Sequence, residues 1–568
     1  MTTAVADLST LALFEGCEPA DLQGVANAVT SVRSVAEGEV LCREGDVANR
    51  WWIVVEGMAD VTSHGMYVAT IGPGETIGEL ALLDGEPRNA TVVATTDMLV
   101  QEVEGNGFVD ALLQSPRVSL ALLRELAVRL RRSNERSTQP GSASVGSQIP
   151  AQAPAPTTGA ASGTAAEPVV FNPYAPGYFA DPFAQYAGLR DTDPVHLTAT
   201  GAYMLTRYDD VHQLSRDRSM VVGIAFATST PAIEAEKART AASGGVNDKS
   251  MLRRDGEDHT RLRRLVTKVF TPRAIGAWRD RADEIVERSL AAAAERETFD
   301  VIGEYALLLP AQIISEMLGM PSADIPKLRQ WSNAITKTLD PLNTPEEEAA
   351  SVAAAQAMVA YVESVIADKR LHPADDILTA LIQANEGGDQ LTQQELLAQV
   401  LLLYIAGHET TLNLIGNGLT HLFEFPGQLD RLRSDPGLDP NTVEELLRFD
   451  SPVQFTRRIA ADALEVRGVT IPAGSVVLLG LASANRDPRK WGPTAGAIDL
   501  ARAGANEHLS FGGGSHYCLG AALARLEAQI ALPRLVRRFP RMTPAYDQPA
   551  WGSRMVLRGV ERLPVNLR

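Results

Sequence analysis

"FGGGSHYCLG", residues Phe511 to Gly520, sets three glycines ahead of a serine, a histidine and one cysteine. A leucine- and alanine-rich run with helical spacing follows, "AALARLEAQIALPRLVRRF". A lone cysteine is more often buried filler than chemistry. Here the glycines permit unusual backbone angles and the close approach of a flat partner. Cys518 stands just before a helix, whose first amides and dipole stabilise a thiolate. A thiolate without metal-binding neighbours suits an ion that arrives with its other ligands attached, as haem iron does.

Two other stretches are chemically odd. "YIAGHETTLNLIG", Tyr404 to Gly416, places an acid and two alcohols inside an apolar helical run, and a buried acid needs a partner or a task. The alternative is a surface turn of that helix, against which the small Ala406 and Gly407 argue. "HTRLRRLV" puts His259 and Arg263 four apart, on one helical face. Two cations there suit two carboxylates of a ligand, and Arg261 and Arg264 form a basic solvated face or a landing point for an acidic electron carrier. "EELLR" sets Glu445 and Arg448 three apart, a spacing common in surface ion pairs.

Together with Phe511, Gly514, His516, Cys518 and Gly520, these segments resemble the cytochrome P450 family of haem-thiolate monooxygenases over residues 168–568. The resemblance implies a large, mainly α fold with small β-sheets around haem b, iron protoporphyrin IX. Cys518 would ligate the iron and Phe511 would pack beside the sulfur. His259, Arg263, Arg458 and His516 would meet the propionates. Glu409 and Thr410 would form the acid–alcohol pair of the distal side, with Thr410 holding water or oxygen and Glu409 opening a proton route. Thr411 reads as structural, and His408 points away from that site. Glu445 and Arg448 match a buried ion pair that Arg502 joins, and "ANRDP", Ala484 to Pro488, is a further familiar segment. Ile498 stands where the family more often has Phe. The stretch from Ser219 to Asp255, rich in mobile Gly and Ala, roofs the substrate pocket.

The 568 residues exceed one ordinary core. Residues 135–167 are Pro, Ala, Gly, Ser and Thr with almost no large apolar side chain, a composition that cannot offset the entropy of ordering it. That flexible linker separates a front domain, residues 1–134, from the haem domain, residues 168–568. The front domain shows short β-rich runs broken by Gly, Pro and Asp, then a leucine-patterned helix, about Arg117 to Ser133. "GETIGELALLDGEPRNATVVA", Gly74 to Ala94, offers backbone N–H groups and Arg88 to an anion. A plain Glu79–Arg88 salt bridge is the alternative.

This domain resembles the cyclic nucleotide-binding domain of bacterial transcription regulators and kinase regulatory subunits, a β-roll with flanking helices. The resemblance implies that Glu79 holds the ribose 2'-hydroxyl and Arg88 the cyclic phosphate of cyclic AMP or cyclic GMP, with Gly78, Leu80 and Ala81 in the backbone cradle. Asn89 departs from the usual Ser, Thr or Ala. The leucine-patterned helix packs on its own roll or forms a homo-oligomer seam.

The net charge of −18 disfavours nucleic acid and anionic membrane, and no DNA-reading element follows the front domain. Three cysteines, Cys17, Cys42 and Cys518, exclude a disulfide scaffold and fit a reducing compartment. No secretory signal or uncharged membrane span is read, so the expected location is cytoplasmic. No flavin, iron–sulfur or nicotinamide-binding unit is read, so a separate ferredoxin and ferredoxin reductase are expected to supply electrons. The expected reaction inserts one oxygen atom from dioxygen into a small apolar substrate. The competing readings are the same enzyme with a non-binding front domain used for docking or oligomerisation, and a haem-based sensor without turnover.

Overall fold

The structure, a computed structural model, describes residues 25, 29–46, 50–63, 66–78, 88, 90–104, 118, 169–268, 270–340, 343–386 and 389–568. It divides into two compact units, Met1–Ala160 and Ala161–Arg568.

In the front unit the β-branched runs form β1 (Val29–Val35), β2 (Val40–Cys42), β3 (Arg50–Glu56), β4 (Ala59–Ser63), β5 (Met66–Ile71), β6 (Thr76–Ile77), β7 (Thr91–Ala94) and β8 (Met98–Glu104). They pair antiparallel in two sheets, ordered β1-β8-β3-β6 and β2-β7-β4-β5. Alternation sets the faces: Val92 and Ala94 of β7 turn inward, and Thr91 and Val93 stay half-exposed. Trp52, Val54, Ile77 and Val100 pack with them into one core. This is the β-roll expected from the sequence. The linker and the helix expected at about Arg117 to Ser133 lie outside the described residues.

The second unit is mainly helical. Its axis is a 32-residue central helix, Gln393–Glu424, started by a capping box between Thr392 and Glu395. Its apolar residues run nearly all round, so it is buried on most sides. The helices Leu308–Met317, Pro345–Leu371, Asp439–Phe449 and Ala521–Arg538 pack against it. Beside them lies a five-stranded sheet, ordered Met220–Val221, Phe455–Ala460, Val476–Gly480, Tyr203–Leu205, Val195–Leu197.

Two features go beyond the sequence reading. The closing "SRMVLRGVERLPV" forms two short strands with separate partners. Val560–Arg562 pairs with Ala550–Trp551, while Pro564–Asn566 pairs with Thr298–Asp300 and Thr543–Pro544. Pro564 interrupts the ladder between the two strands, so each finds a different partner. The 27-residue helix Pro345–Leu371 has no counterpart in that reading. Among the described residues it alone is long and apolar enough to cross a membrane, by length and composition. One of its faces, with Ala354, Met358, Val362 and Ile366, is buried in the core.

A buried charge cluster ties three segments together at the end of the central helix. His421 holds Glu424 Oε2 at 2.7 Å through Nδ1 and Asp450 Oδ2 at 2.7 Å through Nε2. Burial alone would lower the pKa of His421, but the hydrogen bonds to Asp450 and Glu424 outweigh it and raise the pKa. Arg558 donates from Nε to Asp450 at 3.0 Å. Burial opposes ionisation of Asp450, yet Arg558 and His421 hold its pKa down at about 2. A raised histidine contributes stability that is full below its ordinary value, about pH 6.5, and fades as pH climbs through the folded value. The urea midpoints of wild type and His421→Asn are therefore expected to lie furthest apart below about pH 6.5 and to converge as pH rises through the raised folded value.

Candidate functional site

The cysteine loop is closed by Cys518 N donating to Phe511 O at 2.9 Å. Gly514 is left-handed (φ 65°), and a Cβ there would stand 2.7 Å from Ser215 O, so only glycine lets the loop press on that turn. Arg525 lies 4.6 Å over the Phe511 ring and donates to both oxygens of Glu444 at 2.7 and 2.9 Å. The amides at the helix start pull toward a Cys518 thiolate as expected, but burial opposes them more strongly. Burial pushes the thiol pKa up, against the pull of the Gly520 amide, Arg263, Arg525 and the Ala521 amide. A thiolate here requires a cation within reach.

Close by is a set of basic groups short of acids. The rings of His259 and His516 are 4.2 Å apart. His259 is buried, and its Nε2 has no hydrogen-bond partner. Burial, then the nearby His516 and Arg263, lower its pKa to about 4. Arg458 is also buried, and donates only to the neutral acceptors Thr456 Oγ1 (3.0 Å) and Arg457 O (2.8 Å). Arg263 donates to Tyr517 O. The one acid among these groups is Asp255, 3.8 Å from His516 and already accepting from the amides of Val222 and Gly223. Arg261 does not belong to a free basic face: it pairs with Asp389 and Glu395, and Arg264 lies 3.8 Å from Asp389.

Across from the loop, the central helix opens. Ala406 is exposed and Thr410 half-exposed in the middle of a helix whose next turns are buried. The acid and the alcohol expected to work as a pair face different partners. Thr410 donates to Ala406 O at 3.1 Å, one turn back along its own helix. Glu409 accepts from Thr336 Oγ1 at 2.8 Å on Oε2 and from Arg554 on Oε1. His408 is buried, with Nδ1 2.8 Å from Tyr404 O. Thr411 is buried as well.

Behind the loop, Glu445 and Arg448 are fully buried. Arg448 donates from Nε and Nη2 to both oxygens of Glu445 at 2.7 and 2.8 Å. Its remaining N–H groups reach the carbonyls of Asn485, Ala495 and Ala497. Arg502 Nε lies 3.1 Å from both Glu445 oxygens. The stretch from Ser219 to Asp255 is better ordered than its glycines suggest. It forms a helix, Pro231–Ala242, capped by Thr230, and Glu236 on that helix bonds Arg253 (2.6 Å) and Arg457 (2.5 Å). Burial opposes ionisation of Glu236, but Arg457 and Arg253 bring its pKa down to about 2.

In the front unit, Arg88 is buried. It donates to Gly78 O at 2.5 Å and to Arg50 O, and its guanidinium sits 5.3 Å over the Trp52 ring. Gly78 is left-handed (φ 84°), and a Cβ there would collide with Arg88 Nη1. Among the described residues no carboxylate pairs with Arg88. Glu79, Leu80, Ala81 and Asn89 lie outside the described residues.

The cytochrome P450 profile matches residues 225–435 and 439–552. The chain belongs to the cytochrome P450 family. A cyclic nucleotide-binding domain profile matches residues 32–115. Among curated relatives, cytochrome P450 107B1 of Saccharopolyspora erythraea is 41% identical over 402 residues, 68% of this chain and 96% of the relative. Among solved structures, the myxobacterial P450 CYP267B1 with myristic acid is 34% identical, with a TM-score of 0.65 over 70% of this chain and 98% of its own. P450epoK bound to epothilone D is 32% identical, with a TM-score of 0.64 over 70% and 99%.

Sequence reasoning missed Arg554, Thr336 and Glu236. Each lies far along the chain from its partner and none sits in a motif. An acid inside an apolar helix did signal that Glu409 needed a partner or a task, but not which residue would meet it. For this P450, Arg448→Ala is expected to lower folding stability by about 3–5 kcal/mol, because Glu445 is left buried with only part of its charge compensated. Urea unfolding checks this.

Proposed function

We propose that the chain is a haem-thiolate monooxygenase that inserts one oxygen atom from dioxygen into a small or medium apolar molecule, with electrons from a separate ferredoxin and ferredoxin reductase. The observation that carries the reading is a set of basic groups short of acids, two of them buried, beside a half-buried cysteine. His259 with its orphaned Nε2, Arg458 with only neutral acceptors, Arg263 and His516 call for two carboxylates. Cys518 calls for a cation. A flat dianion carrying a central iron fits both demands, and haem b is the family's usual cofactor. Its propionates would take the basic groups, Cys518 would hold the iron, and the opening at Ala406 and Thr410 would lie on the opposite face.

When bound, the haem supplies dioxygen binding and its reductive activation. The chain's own residues do the rest. Ala406 keeps the central helix slim beside the reacting centre, while Gly407 lets the helix Leu308–Met317 pack close, since a Cβ there would stand 3.0 Å from Ile314. Thr410 supplies a hydroxyl that orders water there. Glu409 brings protons from the Arg554 side. The Glu236 ion pairs hold the helix Pro231–Ala242 as a roof that keeps bulk water out. The apolar ligands of the solved relatives, myristic acid and epothilone D, favour an apolar substrate here too.

Cys518→Ala is expected to abolish the thiolate signature in the reduced carbon monoxide spectrum and all product formation. A variant that kept both would overturn the assignment.

The front unit reads as a regulatory site for cyclic AMP or cyclic GMP. Arg88, buried against Trp52 with two carbonyls and no acid among the described residues, supports an anion there. Calorimetry on the full chain is expected to show binding of one of the two nucleotides and a loss of about tenfold or more in affinity for Arg88→Ala. Absence of heat with both nucleotides would leave the unit a docking or oligomerisation module.

A further inference from the structure

The partners of Glu409 come from two separate segments of the chain. Arg554 lies on the loop between the paired strands Ala550–Trp551 and Val560–Arg562. Thr336 lies on the helix Ile325–Lys337. Arg554 reaches Glu409 Oε1, Thr336 Oγ1 at 3.1 Å and Asn333 O at 3.3 Å. Thr336 holds the other oxygen of Glu409. The same loop is sewn to the same helix a second time, just past its end: Met555 N and Val556 N donate to Asp340 Oδ1 at 3.1 and 2.9 Å. Loop, helix and central helix therefore meet at one carboxylate. Both of its oxygens are engaged, and the neighbouring Thr410 hydroxyl turns back to its own helix.

We propose that Arg554 is a positioning residue for proton supply: with Thr336 it holds the Glu409 carboxylate off the Thr410 side, and displacement of its loop by a substrate filling the pocket releases that carboxylate. The proposal rests on the monooxygenase reading above. A purely structural ion pair would hold these segments together in the same way, but its removal would not change how reduced oxygen is partitioned. A gate does change it. Two electrons and two protons take dioxygen to hydrogen peroxide, whereas four of each take it to two waters. The second outcome needs protons delivered at the site before peroxide escapes. With the pocket empty, a held Glu409 favours peroxide and a freed one favours water.

The test needs no substrate. The haem-loaded full chain is supplied with a ferredoxin, its reductase and dioxygen, and hydrogen peroxide is counted per reductant consumed. Arg554→Ala is expected to lower the peroxide share by about twofold or more, and Thr336→Val to move it the same way by less. Arg554→Lys, which keeps a cation, is expected to restore part of the wild-type share. Adding Glu409→Gln to Arg554→Ala is expected to erase the change, since the effect runs through that carboxylate. Hydrogen exchange of residues 552–557 and 333–340 supplies a readout apart from turnover, and faster exchange in Arg554→Ala is expected in both segments. An unchanged peroxide share in a folded Arg554→Ala, or the same change with Glu409→Gln present, would overturn the proposal. A wild type that binds haem through Cys518 but consumes no reductant would instead overturn the reading beneath it.

Discussion

Burial without a partner is the constraint on which this molecule turns. A folded chain can afford to bury a charged or strongly polar group when its hydrogen bonds and its charge are met. Most of the second unit obeys that rule closely. Glu236 has two arginines, Asp450 has Arg558 and His421, and Glu445 has Arg448 and Arg502. Around Cys518 the rule is broken repeatedly within a small volume. Burial pushes the Cys518 thiol pKa up despite Arg263 and Arg525, His259 keeps an orphaned nitrogen, and Arg458 finds only neutral oxygen. The central helix meanwhile leaves Ala406 exposed in its middle. These departures are complementary, two acids and one cation being what they lack. The haem of the proposed function would meet all of them together.

The parts of this arrangement that were legible in the sequence are those in which chemistry and local spacing coincide. The cysteine loop announces itself because glycine, histidine and cysteine lie within ten residues, and a helix follows at once. The face carrying His259 and Arg263 follows from the helical repeat. The β-roll of the front unit follows from alternation and turn residues. Glu445 and Arg448 were different. Spacing alone offered no reason to bury them, and only the resemblance to a family did. Their burial depends on carbonyls from residues 485 to 497, supplied by a turn that no local pattern marks.

What stayed hidden was long-range. Arg554 meets Glu409 across 145 positions, and Arg457 meets Glu236 across 221. No periodicity reports such a pairing, because it is set by where the loops end up after the helices pack. The helix Pro231–Ala242 was obscured for a related reason. Its small residues and flanking glycines read as mobile coil, yet Thr230 caps it and Glu236 fastens it to a distant strand. The helix Pro345–Leu371 was overlooked because its buried stripe is mostly alanine, valine and methionine with little contrast between faces.

Three buried arginines show how structural and functional roles separate on physical grounds. Arg448 spends all five of its N–H groups, two of them on a carboxylate, and needs nothing further. Arg458 and Arg88 are buried to the same class, but among the described residues each meets only neutral oxygens. Neutral acceptors satisfy hydrogen bonds without balancing charge, so a buried guanidinium held that way remains an attractor for an anion. The two sites lie in separate units and belong to separate families, yet the same imbalance marks both. Arg554 is a fourth case of another kind, for its charge is met by a carboxylate that the proposed reaction requires elsewhere. A balanced pair of that sort stabilises one arrangement only until a better use of either member arrives, which is the property a gate needs and a brace does not.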